Sequence, residues 1–325
     1  MQNDKYSVSR RDVLRLGGAA ALAALAGKTA LAEPPAGAPA SRKRAIRVAH
    51  LTDIHVQPEL KANDGMAACL KHMMAQKDKP TLILTGGDMV MDSFGADEAR
   101  TKLQWDLWKK TFADGTDLPL QHCLGNHDVW GWDKKASKTT GAEARYGKKW
   151  AAEQFGVPRL HRSFDQAGWH FVILDSIQPF EDGYRGRLDE EQFAWLEQDL
   201  RQTPADRPVL VVSHIPIASI AALLSHKVEP TGDWKASGGV MHQDAHELKE
   251  LFKKHPNVKA CLSGHLHLVD RVQYLGVTYF CDGAVCGGWW KGPNQETEPG
   301  YALLDLYADG TVEREYVTYG WQAAK

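Results

Sequence analysis

Nine residues of the kinds that hold metal ions or move protons sit directly after short apolar runs, at five places in the chain. The first is Thr52-Asp53-Ile54-His55, the second Gly86-Gly87-Asp88, the third Gly125-Asn126-His127-Asp128. A single His214 follows, and Gly264-His265-Leu266-His267 completes the set. Residues two apart in an extended chain project to the same side, so Asp53 and His55 can reach one ion. Asp88 has two carboxylate oxygens and could bridge two ions, and the glycines before it let the backbone turn sharply and approach a cation. Mixed nitrogen and oxygen donors without a thiolate suit first-row metals such as Zn, Mn or Fe. Asp-x-His or Gly-Asp alone is common by chance, and a lone histidine after a strand is more often a satisfied core residue. The ordered recurrence after five apolar runs is what carries the reading.

Those runs must be the elements that bring the tips together. Expected strands are 46–51, 81–85, 118–124, 169–174, 208–213, 258–263, 277–281, 301–307 and 312–318; the first several are short, continuous and apolar, as strands buried on both faces are. Amphipathic stretches between them give helices over 64–76, 96–112, 189–202 and 243–254, the third opening on acidic residues where the helix dipole favours them. The last two strands flank Asp309-Gly310, a hairpin signal. Alternating strands and helices indicate an α/β layered fold, in which ligands gather at the carboxyl ends of strands.

Composition narrows the class. The chain has 325 residues, of which 43% are hydrophobic and 25% charged, with a net charge of −2. That mixture excludes disorder, and the lack of a basic excess argues against a nucleic-acid partner. The start is basic and precedes an Ala-rich apolar stretch, and Ala30-Leu31-Ala32 suits signal peptidase. Residues 1–32 therefore read as an export signal. Ser9-Arg10-Arg11-Asp12-Val13-Leu14-Arg15 resembles the twin-arginine signal, which implies the twin-arginine export machinery and a bacterial periplasmic location. The apolar segment, about 12 residues, is too short for a spanning helix of roughly 20, so no stable membrane anchor is expected. Residues 33–43, rich in Pro and Ala, read as a flexible tether, and 44–325 as a single domain. Five cysteines at irregular spacings are no disulfide framework; Cys281 and Cys286 are the nearest pair, and buried free thiols are the bland alternative.

At this point the sequence resembles the calcineurin-like metallophosphoesterases, whose signature Asp-x-His, Gly-Asp, Gly-Asn-His-Asp or Glu, His, Gly-His-x-His is present in order between about Arg44 and Tyr319. The resemblance implies a four-layer α-β-β-α sandwich of two mixed sheets with helices outside. It also implies two transition-metal ions, one held by Asp53, His55 and His267, the other by Asn126, His214 and His265, with Asp88 between them. His127 takes the role of catalytic histidine and Asp128 of the residue that orients its ring. The implied activity is hydrolysis of a small-molecule phosphate ester by a hydroxide bridging the metals. Met91 stands where purple acid phosphatases carry a tyrosine, so a ferric tyrosinate is not expected. The spacing looks closest to the branch of bacterial cyclic-nucleotide and glycerophosphodiester phosphodiesterases. A phosphomonoesterase and a non-catalytic metal-binding scaffold are the alternatives.

Two segments are candidates for choosing the substrate. Residues 129–162 follow the catalytic turn with Trp130, Trp132, Tyr146 and Trp150 and six basic residues from Lys134 to Lys149, and could form a lid or a solvated face. Cys286-Gly287-Gly288-Trp289-Trp290-Lys291 is a Gly-rich turn whose Trp289, Trp290 and Lys291 could shape a pocket, or one tryptophan could pack into the core. His242 and His246, near the fourth helix, receive no role.

Overall fold

The central strands are largely apolar because each is covered on both faces. In strand β1 (Arg44–Leu51), Ile46 and Val48 face one core and Ala49 and Leu51 another. The computed structural model describes residues 42–225 and 228–323; the expected export signal and nearly all of the tether lie outside them. Along the chain β1 is followed by α1 (Ala62–Met74), β2 (Leu82–Thr85), α2 (Glu98–Gly115), β3 (Leu120–His122), α3 (Lys134–Ser137) and α4 (Lys149–Phe155). Next come β4 (Arg162–Gln166), β5 (Trp169–Ile173), β6 (Ile177–Phe180), β7 (Gly183–Gly186), α5 (Glu190–Gln202), β8 (Val209–Val212) and α6 (Ala221–Leu224). The chain ends with α7 (Ala245–Lys254), β9 (Val258–Ser263), β10 (Val269–Tyr274), β11 (Val277–Asp282), β12 (Gly300–Tyr307) and β13 (Val312–Thr318).

Two sheets lie face to face. One has the order β13-β12-β1-β2-β3, the other β10-β11-β9-β8-β5-β4, and β6 and β7 form a separate hairpin. Between the sheets Val48, Leu84 and Cys123 meet Phe171, Val212, Leu262 and Phe280. Outside the first sheet α1 and α2 bury Met66, Leu70, Trp105, Trp108 and Phe112, and outside the second α5 and α7 bury Leu196, Leu200, Leu248 and Phe252. The result is the expected four-layer sandwich. Each such side chain contributes about 1.5–3 kcal/mol by leaving water. The α5 helix starts where the Asp189 carboxylate accepts the Gln192 N–H at 2.8 Å, with Glu190 and Glu191 in its first turn.

β1, β2 and β3 are mutually parallel, and so are β5, β8, β9 and β11. The carboxyl ends of β1, β2, β3, β8 and β9, which precede the five motifs, therefore open on one rim. Beyond the ends of β1 and β2 the pairing continues, with Asp53 N–H donating to Gly87 O and His55 N–H to Asp88 O, both at 3.0 Å. This carries the first two motifs side by side past the sheet.

Two expectations need correction. β3 is shorter than 118–124, and β4, β6, β7 and β10 were not anticipated, because they are half-exposed or edge strands without a continuous apolar run. Residues 129–162 are not a free lid. Trp130 and Trp150 are buried and meet edge to face at 4.9 Å, and α4 packs Phe155 against Trp105. All five cysteines are buried free thiols. Among the described residues no helix is long and apolar enough to cross a membrane.

Candidate metal centre

The tips converge, and each carboxylate is anchored by one oxygen while the other faces the imidazoles. Asp53 Oδ2 accepts the Thr52 hydroxyl at 2.6 Å and the His265 N–H at 2.9 Å; its Oδ1 has no hydrogen-bond partner and lies 3.3 Å from His267 Nε2. Asp88 Oδ1 accepts the His127 N–H at 2.8 Å, while Oδ2 lies 3.5 Å from His55 Nε2 and 3.3 Å from His214 Nε2. His214 Nε2 is also 3.1 Å from Asn126 Oδ1 and 3.2 Å from His265 Nδ1, and His55 Nε2 is 3.1 Å from His267 Nε2.

Backbone carbonyls fix which imidazole nitrogens face inward. His214 Nδ1–H donates to Gly86 O at 2.7 Å, His265 Nε2–H to Gly239 O at 2.7 Å, and His267 Nδ1–H to Gly287 O at 2.6 Å. The opposite nitrogens of these rings carry the lone pairs that point at one another and at the carboxylates. Lone pairs about 3 Å apart in a buried site repel unless a cation or a proton lies among them, so the donor set fits metal ions. His55, Asp88 and His127 form one group able to hold an ion, and Asp88, His214 and His265 another. Cys286 also comes within ligand reach of His55 and His267, a donor absent from the sequence reading.

The charges agree with that chemistry. Burial, followed by the neighbouring His127, lowers His55 to about 3; burial and His214 lower His265 to about 4, so both offer neutral donors. Burial works to raise the Asp53 carboxyl, yet His267 holds it down at about 2. Burial also opposes charge on His214, but the Asp88 carboxylate overcomes this and raises it to about 9. A cation entering beside His214 must displace a proton, which ties binding to pH.

Asp53, His55, Asp88, His265 and His267 all have φ between 47° and 70°, the left-handed region. For a residue with a Cβ this costs on the order of 1–3 kcal/mol and persists only where the surroundings impose it. The surroundings are tight. A Cβ on Gly125 would lie 2.1 Å from the Asp88 N and Oδ1 atoms, and one on Gly264 2.2 Å from Asp53 Oδ2.

Asp128 does not orient the His127 ring. Its carboxylate accepts the backbone N–H groups of Asp88, Met89 and Gly125 at 2.8–2.9 Å and so fixes the Asp88 loop. His127 Nδ1–H donates instead to Met91 O at 2.7 Å. Trp130 and Trp290 are core residues rather than substrate contacts. The Trp130 indole N–H donates to Ala96 O, and that of Trp290 to His55 O at 2.9 Å, with the Trp290 ring lying over Gly65. Trp290 buttresses the His55 backbone. Lys291 is exposed, and its side chain makes no hydrogen bond or ion pair among the described residues. Of the three proposed substrate contacts in this turn Trp289 faces the site, 40% exposed, with its ring 4.6 Å from that of His267.

Two features escaped the sequence reading. His242 is buried and joins the Ser213 hydroxyl at 2.9 Å to the Asp244 carboxylate at 2.8 Å, fastening the residue before His214. Tyr184 of β7 places its ring 6.0 Å from that of His265. Nothing in sequence ties either to the site, since Ser213 and His265 lie 29 and 81 positions away from them. His246 is exposed on α7.

The fold and this donor set define a metal-dependent phosphoesterase. The calcineurin-like phosphoesterase family model matches residues 46–269, and the chain belongs to that family. It is 25% identical over 284 residues to a 3',5'-cyclic-nucleotide phosphodiesterase of Nostoc, covering 83% of this chain and 91% of that one. It is also 25% identical over 292 residues to the Escherichia coli 3',5'-cyclic adenosine monophosphate phosphodiesterase CpdA, covering 85% and 91%. Among solved structures a zebrafish dimetal phosphatase shares the fold, with TM-score 0.58, 15% identity and coverage of 86% of this chain and all of the other.

Proposed function

We propose that the chain is a phosphodiesterase with a two-metal centre, in which Asp53, His55 and His267 hold one ion of the Fe, Mn or Zn type and Asn126, His214 and His265 the other, with Asp88 shared. The observation that carries this is Asp88 Oδ2, which lies within 3.5 Å of an imidazole nitrogen of each group. Two ions bound there would lower the pKa of a water and neutralise the charge of the phosphate oxygens. The side chains do the rest. With Nδ1–H committed to Met91 O, His127 keeps Nε2 free, and as the imidazolium it would give the proton on that nitrogen to the departing oxygen. His127 and His265 are the partly exposed members of the set, so the substrate approaches from their side.

A diester is favoured over a monoester because organic surface flanks the donors at both ends. Trp289 stands beside His267 and Tyr184 beside His265, and the two relatives named above are cyclic-nucleotide phosphodiesterases. Bis(4-nitrophenyl) phosphate and 4-nitrophenyl phosphate, assayed on one preparation reconstituted with Mn, Zn or Fe and analysed for metal, test the reading. The diester is expected to turn over faster. A monoester preference would overturn the diesterase assignment, and no hydrolysis of either with any metal would leave a metal-binding scaffold.

We further propose export by the twin-arginine machinery to the periplasm, on the strength of the N-terminal sequence alone. Protein recovered from the periplasm should begin at Glu33. A full-length chain confined to the cytoplasm would end this proposal.

A further inference from the structure

A cavity of about 460 Å³ opens beside the donor set and belongs to none of its ligands. Its walls come from Phe94, Tyr184, Arg185, the Ser237–Gly239 backbone and Gln243. It adjoins the centre directly, since Gly239 O accepts the His265 Nε2–H at 2.7 Å and Tyr184 meets His265 edge-on at 6.0 Å. On the other side Ser93 N–H donates to His127 O at 2.8 Å, which ties the Phe94 loop to the catalytic turn. The cavity thus lies next to the two partly exposed residues of the site.

The wall chemistry selects a guest. Phe94 and Tyr184 meet at 6.1 Å and 70°, giving two aromatic surfaces, and the glycines opposite present flat backbone. The polar groups have hydrogen-bonding capacity left, although the Arg185 guanidinium lies over the Phe180 ring at 5.0 Å. Among the described residues the Gln243 carboxamide makes no hydrogen bond, and Arg185 Nε is buried without an acceptor. An aliphatic chain would leave both unsatisfied, whereas a planar ring with donors and acceptors on its edge would stack and pair.

We propose that this cavity binds one organic arm of the phosphodiester, a planar hydrogen-bonding ring such as a nucleobase, while phosphorus sits over the donor set. This rests on the diesterase reading. It adds that the enzyme prefers nucleoside diesters and that Tyr184 sets the preference.

Two substrates with one leaving group separate this from the parent reading: thymidine 5'-(4-nitrophenyl phosphate) and methyl 4-nitrophenyl phosphate. The ratio of their kcat/KM values in the wild type is expected to be about tenfold or more, the size of a well-filled pocket contact. Tyr184→Leu, and Ser237→Trp to fill the cavity, should bring the ratio near one, and Tyr184→Phe should keep it. Calorimetric titration should show thymidine 5'-monophosphate binding the metal-loaded wild type more tightly than methyl phosphate, with the gap closed in Ser237→Trp. A wild-type ratio near one, or variants that lower both substrates equally, would overturn the cavity assignment and leave the diesterase standing. Failure to cleave either diester, with a monoester cleaved, would overturn both.

Discussion

Asp88→Asn is expected to lower turnover by at least about a thousandfold, more than loss of a single oriented donor costs, because one side chain serves both halves of the centre. The substitution keeps shape and removes charge. The amide oxygen can still accept the His127 N–H, but the atom facing His55 and His214 becomes neutral. Metal bound per chain should fall at the same time, measured by elemental analysis after dialysis against buffered Zn or Mn. The fold should not suffer. Burial and the Asp88 charge together push Asp128 up to about 7, so removing that charge relieves a like-charge contact in a carboxylate that ties down three backbone N–H groups. Without that carboxylate the His214 proton also loses its partner, so the two effects oppose each other and thermal unfolding in a chelator should occur close to that of the wild type. Asp88→Asn protein that kept its full metal content and its turnover would show that the shared carboxylate is not the hinge of the site.

The sequence was legible where chemistry and burial coincide. β2 and β8 are almost wholly apolar and β1 and β9 largely so because two cores cover them, and each leads into a motif on one rim. What could not be read is what the rim rests on. Trp289 and Trp290 are neighbours with the same side chain, yet a left-handed turn at both sends one under His55 and the other over His267. The resemblance pairs Asp128 with His127, but carboxylates buried next to a sharp turn satisfy backbone N–H groups first, and two of the three accepted here belong to residues about 40 positions away. The Tyr184 hairpin has strands of four residues, half-exposed, below the length at which alternation is informative. Non-local hydrogen bonds and short irregular elements leave little trace in local pattern.

His127→Ala should lower turnover by roughly 10²–10⁴, the range for loss of a positioned general acid, while metal content stays unchanged. The geometry makes the outcome a decision between two roles. The His127 ring lies 4.7 Å from that of His55, and with Asp88 and His55 it is near enough to hold an ion itself. As a ligand, its removal would lower metal content, and activity per metal-loaded chain would hardly change. As a proton donor, its removal would leave metal content intact, and the defect would depend on the leaving group. A diester that expels 4-nitrophenolate needs little help from an acid and should lose least; one that expels an alkoxide should lose most. The backbone N–H that His127 lends to Asp88 Oδ1 survives in alanine, so the shared carboxylate stays oriented and the comparison isolates the ring. A uniform loss across leaving groups, with metal content reduced, would make His127 part of the metal cage.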